Sequence, residues 1–241
     1  VSAVLVTVTL MYRTEGMKLC LSQIRMYKRM LQSILKIGLP AGFEAIMYSI
    51  SNIIVQVSIN NFGVDTMAAW TAYSKIDFIF WMINSAFGIS VMTFVGQNYG
   101  AGKWDRIRRG TKICLGMALI SAVSVSIILM SAERFLFGIF VNDAGVVEIG
   151  IRMMNVIAPA YLLFAFIEVF SGALRAQGAV VVSTLITMVG ICVLRMIWVT
   201  LVAAHGTLEQ VIICYPITWA AGALAMSIYY IYKQRKIFQA R

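Results

Sequence analysis

The chain has 241 residues, of which 61% are hydrophobic and only 12% are charged, and this balance excludes an ordinary soluble globular protein. A net charge of +10 would suit a nucleic-acid-binding protein if the basic residues were gathered on one soluble surface, but they lie between apolar runs. We therefore expect no nucleic-acid partner. The four cysteines form no CxxC pair and there is one histidine, so the spacing of a metal site is missing as well.

Six apolar runs follow one another along the chain, and each reaches the roughly 20 residues that cross about 30 Å of hydrocarbon as a helix. They are residues 34–59, 67–95, 113–132, 153–174, 179–204 and 208–232. Residues 1–12 are apolar too, but about 12 residues rise only about 18 Å, so we interpret them as the end of a truncated transmembrane helix. The sequence predicts an all-α polytopic membrane protein built as a bundle of six transmembrane helices. Pro40, Pro159 and Pro216 lie near or within the runs and predict kinks.

Lysine and arginine fall mostly on one side of these spans. The side that receives residues 13–36, 103–112 and 233–241 is strongly basic, whereas Arg134 and Arg152 lie on the other side. By the positive-inside rule, the basic side is cytoplasmic. We therefore expect a cytoplasmic linker over residues 13–36, a six-helix lobe over residues 37–232 and a basic cytoplasmic tail over residues 233–241.

Residues 17–36 differ from the spans, because their apolar residues recur at helical spacing while the basic residues lie largely on other faces. This pattern predicts an amphipathic helix that lies along the cytoplasmic membrane interface between two lobes. A basic linker that only satisfies the topology is the alternative interpretation.

Ionisable side chains inside the predicted spans are functional candidates, because each costs roughly 2.5–3.5 kcal/mol on insertion scales. Four residues qualify: Glu44, Asp77, Glu168 and Arg195. A structural alternative is that Glu168 and Arg195 neutralise one another inside the bundle, and that Asp77 is hydrated at an outer vestibule. Lys75 is also inside a span, and we expect it to extend towards the membrane surface.

The candidate acids share helical stripes with polar and aromatic residues. Glu44 precedes Tyr48 and Asn52 at helical spacing, so all three lie on one face. Glu168 shares a face with Gly172 and Arg175. The candidate residues for binding a substrate or an ion are Glu44, Tyr48, Asn52, Asp77, Glu168 and Arg195.

Four short motifs occur at the ends of, or inside, the predicted spans. They are "LKIGLPAGFE" opening the first, "FVGQNYGAGK" closing the second, "SGALRAQG" closing the fourth and "CVLRMIW" inside the fifth. This ordered set resembles the multidrug and toxic compound extrusion (MATE) family and is closest to its DinF-like bacterial branch. The motif residues that we expect to have structural roles are Pro40, Gly96, Gln97, Gly100, Gly102, Gly172, Arg175 and Gly178.

The resemblance implies a fold and an activity. Members of the family have twelve spans in two six-helix lobes, and this chain is similar to the second lobe alone, preceded by the end of span six. The N-terminal lobe of the same polypeptide is then an expected partner. The implied activity is export of small-molecule drugs or organic cations across the bacterial cytoplasmic membrane by alternating access. The coupling ion would be H⁺ or Na⁺, with no other cofactor and no enzymatic reaction.

The resemblance also implies roles for particular residues. In one branch of the family, a glutamate on span seven and an aspartate on span ten help to bind the cation, and Glu44 and Glu168 are the nearest matches here. In the DinF-like branch, the proton-linked aspartate lies on span one, which this chain does not contain. Gly96, Gly100 and Gly102 are expected to permit close approach of helices and a sharp turn where span eight meets the cytoplasm.

Other functions remain as alternatives. A lipid-linked sugar flippase of the same superfamily would also have paired lobes, but we expect more cationic residues in its cavity than Arg195 alone. A membrane-embedded enzyme would need a nucleophile with its base, or a set of metal ligands, inside the spans. A non-transporting receptor or scaffold is also possible from the composition, but such a function would not explain why four ionisable residues lie inside the spans.

Overall fold

The computed structural model describes residues 2–12, 25–202 and 206–239, and all regular structure in these ranges is helical. The chain divides into two compact units, Val1–Leu39 and Pro40–Arg241. The first unit holds α1 (Ser2–Tyr12) and the beginning of α2 (Lys28–Asn60). The linker predicted over residues 13–36 lies partly outside the described residues, and from Lys28 onward it belongs to the continuous helix α2.

The second unit contains the remainder of α2 and the helices that follow it. These are α3 (Val64–Gly100), α4 (Trp104–Ser131), α5 (Glu133–Gly138), α6 (Ala144–Ile157), α7 (Tyr161–Ala176), α8 (Val180–Thr187), α9 (Leu194–Ile197), α10 (Leu208–Ile212) and α11 (Cys214–Gln239). A 3₁₀ turn, Ala158–Ala160, joins α6 to α7, and two π-helical turns, Met188–Val193 and Trp198–Val202, flank α9.

Six helical segments are long and apolar enough to cross a membrane, which confirms the six predicted spans within the described part of the chain. They are Lys28–Asn60, Val64–Gly100, Trp104–Ser131, Ala144–Ala176, Val180–Val202 and Leu208–Ile237. Helices satisfy their own backbone hydrogen bonds, which is why a chain of this composition can form them inside hydrocarbon. Most of these helices extend beyond the apolar run that predicted them, because the flanking polar residues continue the same backbone hydrogen bonding.

The fourth span is the central element of the second unit, and α7 packs against α3, α4, α8 and α11. Its buried side chains include both small and aromatic residues, such as Ala165, Ala173 and Phe164, so neighbouring helices approach it from several directions. Pro159 lies in the 3₁₀ turn that precedes α7, where the missing proline N–H interrupts the helical hydrogen bonds. Helical hydrogen bonding is therefore interrupted at Pro159, one of the three prolines for which a kink was predicted, whereas Pro40 and Pro216 lie within the continuous helices α2 and α11.

The predicted glycine turn is also present, but the predicted close approach of helices occurs elsewhere. Gly102, after α3, and Gly178, after α7, have φ values of 66° and 79°, which favour glycine. A Cβ on Gly96 or Gly100 would meet no described atom within 4 Å beyond its immediate helical neighbours, so the expectation of close contact there is not met. Close contact is found instead where α7 crosses α3, because a Cβ on Gly172 would lie 2.7 Å from the carbonyl oxygen of Gly88.

Candidate functional site

Glu44 is held in place by two hydrogen-bonding partners from later spans. One guanidinium nitrogen of Arg175, on α7, donates to both carboxylate oxygens of Glu44, at 2.7 and 2.8 Å. The hydroxyl of Thr184, on α8, donates to Oε2 at 3.0 Å. The Glu44 residue is 7% exposed, so this charge-assisted pair neutralises a carboxylate that is almost fully buried.

Glu168 lies near this pair but has a different environment. Within the described part of the chain, its carboxylate makes no hydrogen bond and no ion pair, although it interacts electrostatically with Arg175 and Glu44. The side chain lies over Gly88 of α3, and a Cβ at that position would overlap the Glu168 carboxyl group. The absence of a side chain at Gly88 is therefore what makes room for the Glu168 carboxylate.

Both acids line one cavity of about 360 Å³, which we call the Glu168 cavity. Its walls come from α2, α3, α7 and α8. They include the polar residues Asn84, Ser85 and Ser171 and the aromatic residues Tyr48, Trp81 and Phe164. The cavity thus combines two carboxylates and one guanidinium group with flat apolar surfaces.

Asp77 belongs to a second hydrogen-bonded cluster on α3 and α7. Its carboxylate accepts a hydrogen bond from the hydroxyl of Tyr161 and another from the indole Nε1 of Trp81, the latter at 2.5 Å. The hydroxyl of Tyr73 lies 3.2 Å from that of Tyr161, so the cluster continues as a chain of hydrogen bonds. Asp77 is consequently tied to aromatic side chains rather than to a basic group.

Arg195 is 2% exposed and lies on α9, between the two π-helical turns. Its Nη1 donates to Oδ1 of Asn52 at 3.1 Å, and its Cζ lies 4.2 Å from the ring centroid of Tyr215. No carboxylate of the described residues lies within 4 Å of its nitrogens, so the alternative in which Glu168 neutralises Arg195 is wrong. The buried charge is stabilised by an amide oxygen and an aromatic face instead.

Asp77 and Arg195 line a neighbouring cavity of about 560 Å³, which we call the Asp77 cavity. Aromatic residues supply much of its wall, and the set includes Trp70, Tyr73, Phe78, Trp81, Tyr215 and Trp219. Tyr48 and Trp81 line both cavities, so the two lie side by side within the second unit.

The structure brings all six predicted binding residues to these two cavities. Glu44 and Glu168 line the first, Asn52, Asp77 and Arg195 line the second, and Tyr48 lines both. Reasoning from the sequence did not single out Thr184 or Tyr215, which contact Glu44 and Arg195 respectively. Unlike Tyr48 and Asn52, which share a helical face with Glu44, these two residues share no face with an acid, so they become recognisable as partners only once the helices are packed.

Six membrane-length helices, five of which contribute to the walls of the two cavities, form one lobe of a membrane transporter fold, and comparisons with known proteins agree. The MatE family model matches residues 40–201. The chain is 25% identical over 219 residues to the probable multidrug resistance protein YoeA of Bacillus subtilis (strain 168), and the match covers 89% of this chain and 47% of YoeA. It is 26% identical over 208 residues to the probable multidrug resistance protein YpnP of the same organism, and this match covers 85% of the chain and 47% of YpnP.

Solved structures show the same fold. The chain superposes on an outward-facing conformation of a multidrug resistance MATE family transporter of the MOP superfamily with a TM-score of 0.87 and 16% identity. The superposition covers 99% of this chain and 54% of that one. The chain spans about half the length of the curated relatives it matches. Because the family model matches most of its residues, this chain belongs to the MatE family and is a multi-pass membrane protein.

Proposed function

We propose that this chain forms the C-terminal half of a secondary active multidrug efflux antiporter. It would export cationic or amphipathic compounds in exchange for protons or sodium ions, by alternating access between two lobes. The names of the relatives YoeA and YpnP, both described as probable multidrug resistance proteins, support this proposal. So does membership of the MatE family.

The observation that carries the proposal is the carboxylate of Glu168, which faces a cavity without a hydrogen bond or an ion pair from the described residues. A carboxylate in this position binds a proton, a sodium ion or an organic cation in turn, because each cation neutralises the same charge. Occupancy by one cation then opposes occupancy by another, which is the thermodynamic requirement for antiport.

The balance of charge in the two cavities supports a cationic substrate. Together they are lined by three carboxylates and two guanidinium groups, so one negative charge remains when all five groups are ionised. Arg175 is engaged by Glu44, and Arg195 lies between Asn52 and Tyr215. Of these two guanidinium groups, that of Arg195 has no carboxylate partner among the described residues, and the three carboxylates outnumber it.

Within this proposal, Glu44 and Glu168 have separate tasks. Glu44, which is paired with Arg175 and Thr184, holds α2, α7 and α8 together at one side of the Glu168 cavity. Glu168 is the group that exchanges cations. Arg175 pairs with Glu44 and also interacts electrostatically with Glu168, so its positive charge acts on the exchange site without forming an ion pair there.

The aromatic walls supply binding surface for compounds of varied shape. Trp81 makes edge-to-face contacts with Phe164 and Trp219, with ring centroids 4.6 and 6.1 Å apart. The ring centroids of Trp219 and Tyr215 lie 5.5 Å apart, so these aromatic side chains pack against one another and hold each other in place. Flat, fixed aromatic faces attract organic cations through their quadrupoles without requiring one particular ligand geometry.

A lipid-linked sugar flippase of the same superfamily is the second candidate. Its substrate carries phosphate groups, and a cavity for it would present guanidinium or ammonium groups that are not already engaged. Among the described residues, the two cavities offer one guanidinium group without a carboxylate partner, that of Arg195, against three carboxylates. The charge balance therefore favours the cation antiporter.

Gradient-driven dye efflux by the full-length transporter tests the proposal. Glu168→Gln keeps the size of the side chain and removes its charge, so we expect export of a cationic dye to lose its dependence on the proton or sodium gradient. Glu148→Gln is the matched control, because Glu148 is an exposed acid paired with Arg134 outside the cavities. Wild-type efflux by Glu168→Gln, at normal amounts in the membrane, would contradict the proposal.

A further inference from the structure

A third cavity, of about 360 Å³, lies between α4 and α11, away from the two cavities described above. It is lined by Arg108, Lys112, Tyr230, Ile231, Gln234 and Arg235. Because α4 begins at Trp104 and α11 ends at Gln239, the basic residues lie at the same end of the second unit. We refer to this site as the basic cavity.

The basic cavity concentrates positive charge, and no acid is among its lining residues. Neither Lys112 nor Arg235 forms an ion pair within the described ranges. The acid nearest along α4 is Asp105, which lies outside the lining. Three basic side chains from two helices therefore converge on one concave surface.

A buried hydroxyl donor in the same cavity lacks an acceptor among the described residues. Tyr230 is 8% exposed, and its hydroxyl donates to no carbonyl or carboxylate oxygen of the described residues. Thr111, on the facing helix, is 1% exposed, and its hydroxyl lies near that of Tyr230. Even when one of these two hydroxyl groups donates to the other, the second O–H donor has no acceptor among the described residues. Buried hydroxyl groups normally have partners, so an unsatisfied one that lines a basic cavity indicates a ligand that accepts hydrogen bonds.

The surroundings of the cavity are apolar. Ile231, which lines it, is 49% exposed, and Tyr232 and Ile113, each next to a lining residue in the sequence, are 58% and 64% exposed. In a helix of this composition, such side chains face the acyl chains of the bilayer. A ligand in the basic cavity would therefore have its anionic group among the basic residues and its apolar part against lipid-facing side chains.

We propose that the basic cavity binds the phosphate group of an anionic phospholipid from the leaflet that this end of the second unit faces. The guanidinium group of Arg235 donates paired hydrogen bonds to phosphate oxygens, and Lys112 and Arg108 add positive charge to the same surface. The Tyr230 hydroxyl donates to a phosphate oxygen and is thereby satisfied. Basic pockets between transmembrane helices are the sites at which anionic headgroups bind membrane proteins.

Native mass spectrometry of the full-length transporter in detergent, titrated with phosphatidylglycerol, tests this assignment. The variant Arg108→Gln, Lys112→Gln, Arg235→Gln should bind the lipid at least about tenfold more weakly, because it removes three basic groups that attract an anionic headgroup. Phosphatidylcholine with the same acyl chains should compete poorly. Displacement of the lipid by millimolar inorganic phosphate would overturn the lipid assignment and identify a site for free phosphate.

A matched control separates this site from the general effect of positive charge. The variant Arg106→Gln, Arg109→Gln, Lys236→Gln removes the same charge from the same end of the second unit, outside the cavity lining. It should retain lipid affinity within about twofold of wild type, since the attraction at this site depends on the lining groups. Equal loss in both triple variants would overturn the proposal and leave the basic residues with a topological role only.

A conservative variant tests the hydroxyl group independently of charge. Tyr230→Phe removes only the unsatisfied oxygen, and we expect it to weaken phosphatidylglycerol binding severalfold, consistent with the loss of one hydrogen bond. Tyr229→Phe is the control, because Tyr229 is the neighbouring tyrosine and does not line the cavity. Unchanged affinity in Tyr230→Phe would contradict direct contact between this hydroxyl and the phosphate group.

Discussion

The carboxylate of Glu44 and the guanidinium group of Arg175 lie 2.7 Å apart, although 131 residues separate them along the chain. The pair joins α2 to the end of α7 at the wall of the Glu168 cavity. Because Thr184 donates to the same carboxylate, three spans meet at one buried acid. This arrangement makes Glu44 both a structural residue and a neighbour of the proposed exchange site at Glu168.

We predict that Glu44→Gln destabilises the transporter by on the order of 2 kcal/mol, because it leaves the Arg175 charge without its partner. The effect should be smaller than for a fully buried pair, since the Arg175 side chain is 29% exposed. Thermal stability of the purified full-length protein measures it. The double variant with Arg175→Gln should recover part of the loss, and a single variant as stable as wild type would show that the pair is energetically neutral.

We predict that Gly88→Ala impairs dye efflux, because the added methyl group occupies the space of the Glu168 carboxyl group. The carboxylate would then have to leave its position in the Glu168 cavity. Gly96→Ala, in the same helix α3, is the control, since a Cβ there would meet no described atom within 4 Å beyond its immediate helical neighbours. Equal efflux by the two variants, at equal amounts in the membrane, would show that the position of Glu168 is not critical.

We predict that lysine cannot replace Arg195, although the charge is kept. A lysine would lose the stacking over Tyr215 and the fixed geometry of the hydrogen bond to Asn52. Arg195→Lys should therefore lower the free energy of unfolding by about 1–2 kcal/mol, which thermal denaturation of the purified full-length protein would measure. Arg152→Lys is the control, because the Arg152 side chain is 61% exposed and its contact with Glu209 is long, at 3.7 Å. If Arg195→Lys is as stable as wild type, the positive charge alone accounts for the contribution of Arg195 to stability.

We predict that the start of α4 and the end of α11 lie on the cytoplasmic side of the membrane. Cysteines placed at Asp65 and Asn142 should then react with an impermeant thiol reagent in intact cells, whereas a cysteine at Asp105 should not. All three positions are exposed. Asn142 is preferable to Asp143, whose carboxylate accepts from two backbone N–H groups and caps α6. Labelling of the cysteine placed at Asp105 in intact cells would show that the orientation is opposite to the predicted one.

The number and approximate positions of the membrane-spanning helices could be read from the sequence. A bilayer demands about 20 apolar residues per span and internally satisfied backbone groups, so both constraints act locally along the chain. The same local logic identified Glu44, Asp77, Glu168 and Arg195, because a charged residue in an apolar run is conspicuous without any knowledge of its neighbours. The turn at Gly102 also depends on the local backbone and was recognisable as a glycine at a helix end.

The partners of these residues were decided only by the tertiary structure. The sequence alone left open a pairing of Glu168 with Arg195, whereas packing places Arg175 on Glu44 and sets Arg195 against Asn52 and Tyr215. Close contact between α3 and α7 likewise occurs at Gly88 and Gly172 rather than at Gly96 and Gly100. The physical reason is that lipid and protein interior are equally apolar, so the hydrophobic pattern does not specify which face of a span meets which neighbour. That choice is made by the fit of side chains between helices distant in sequence, and it alone creates the cavities.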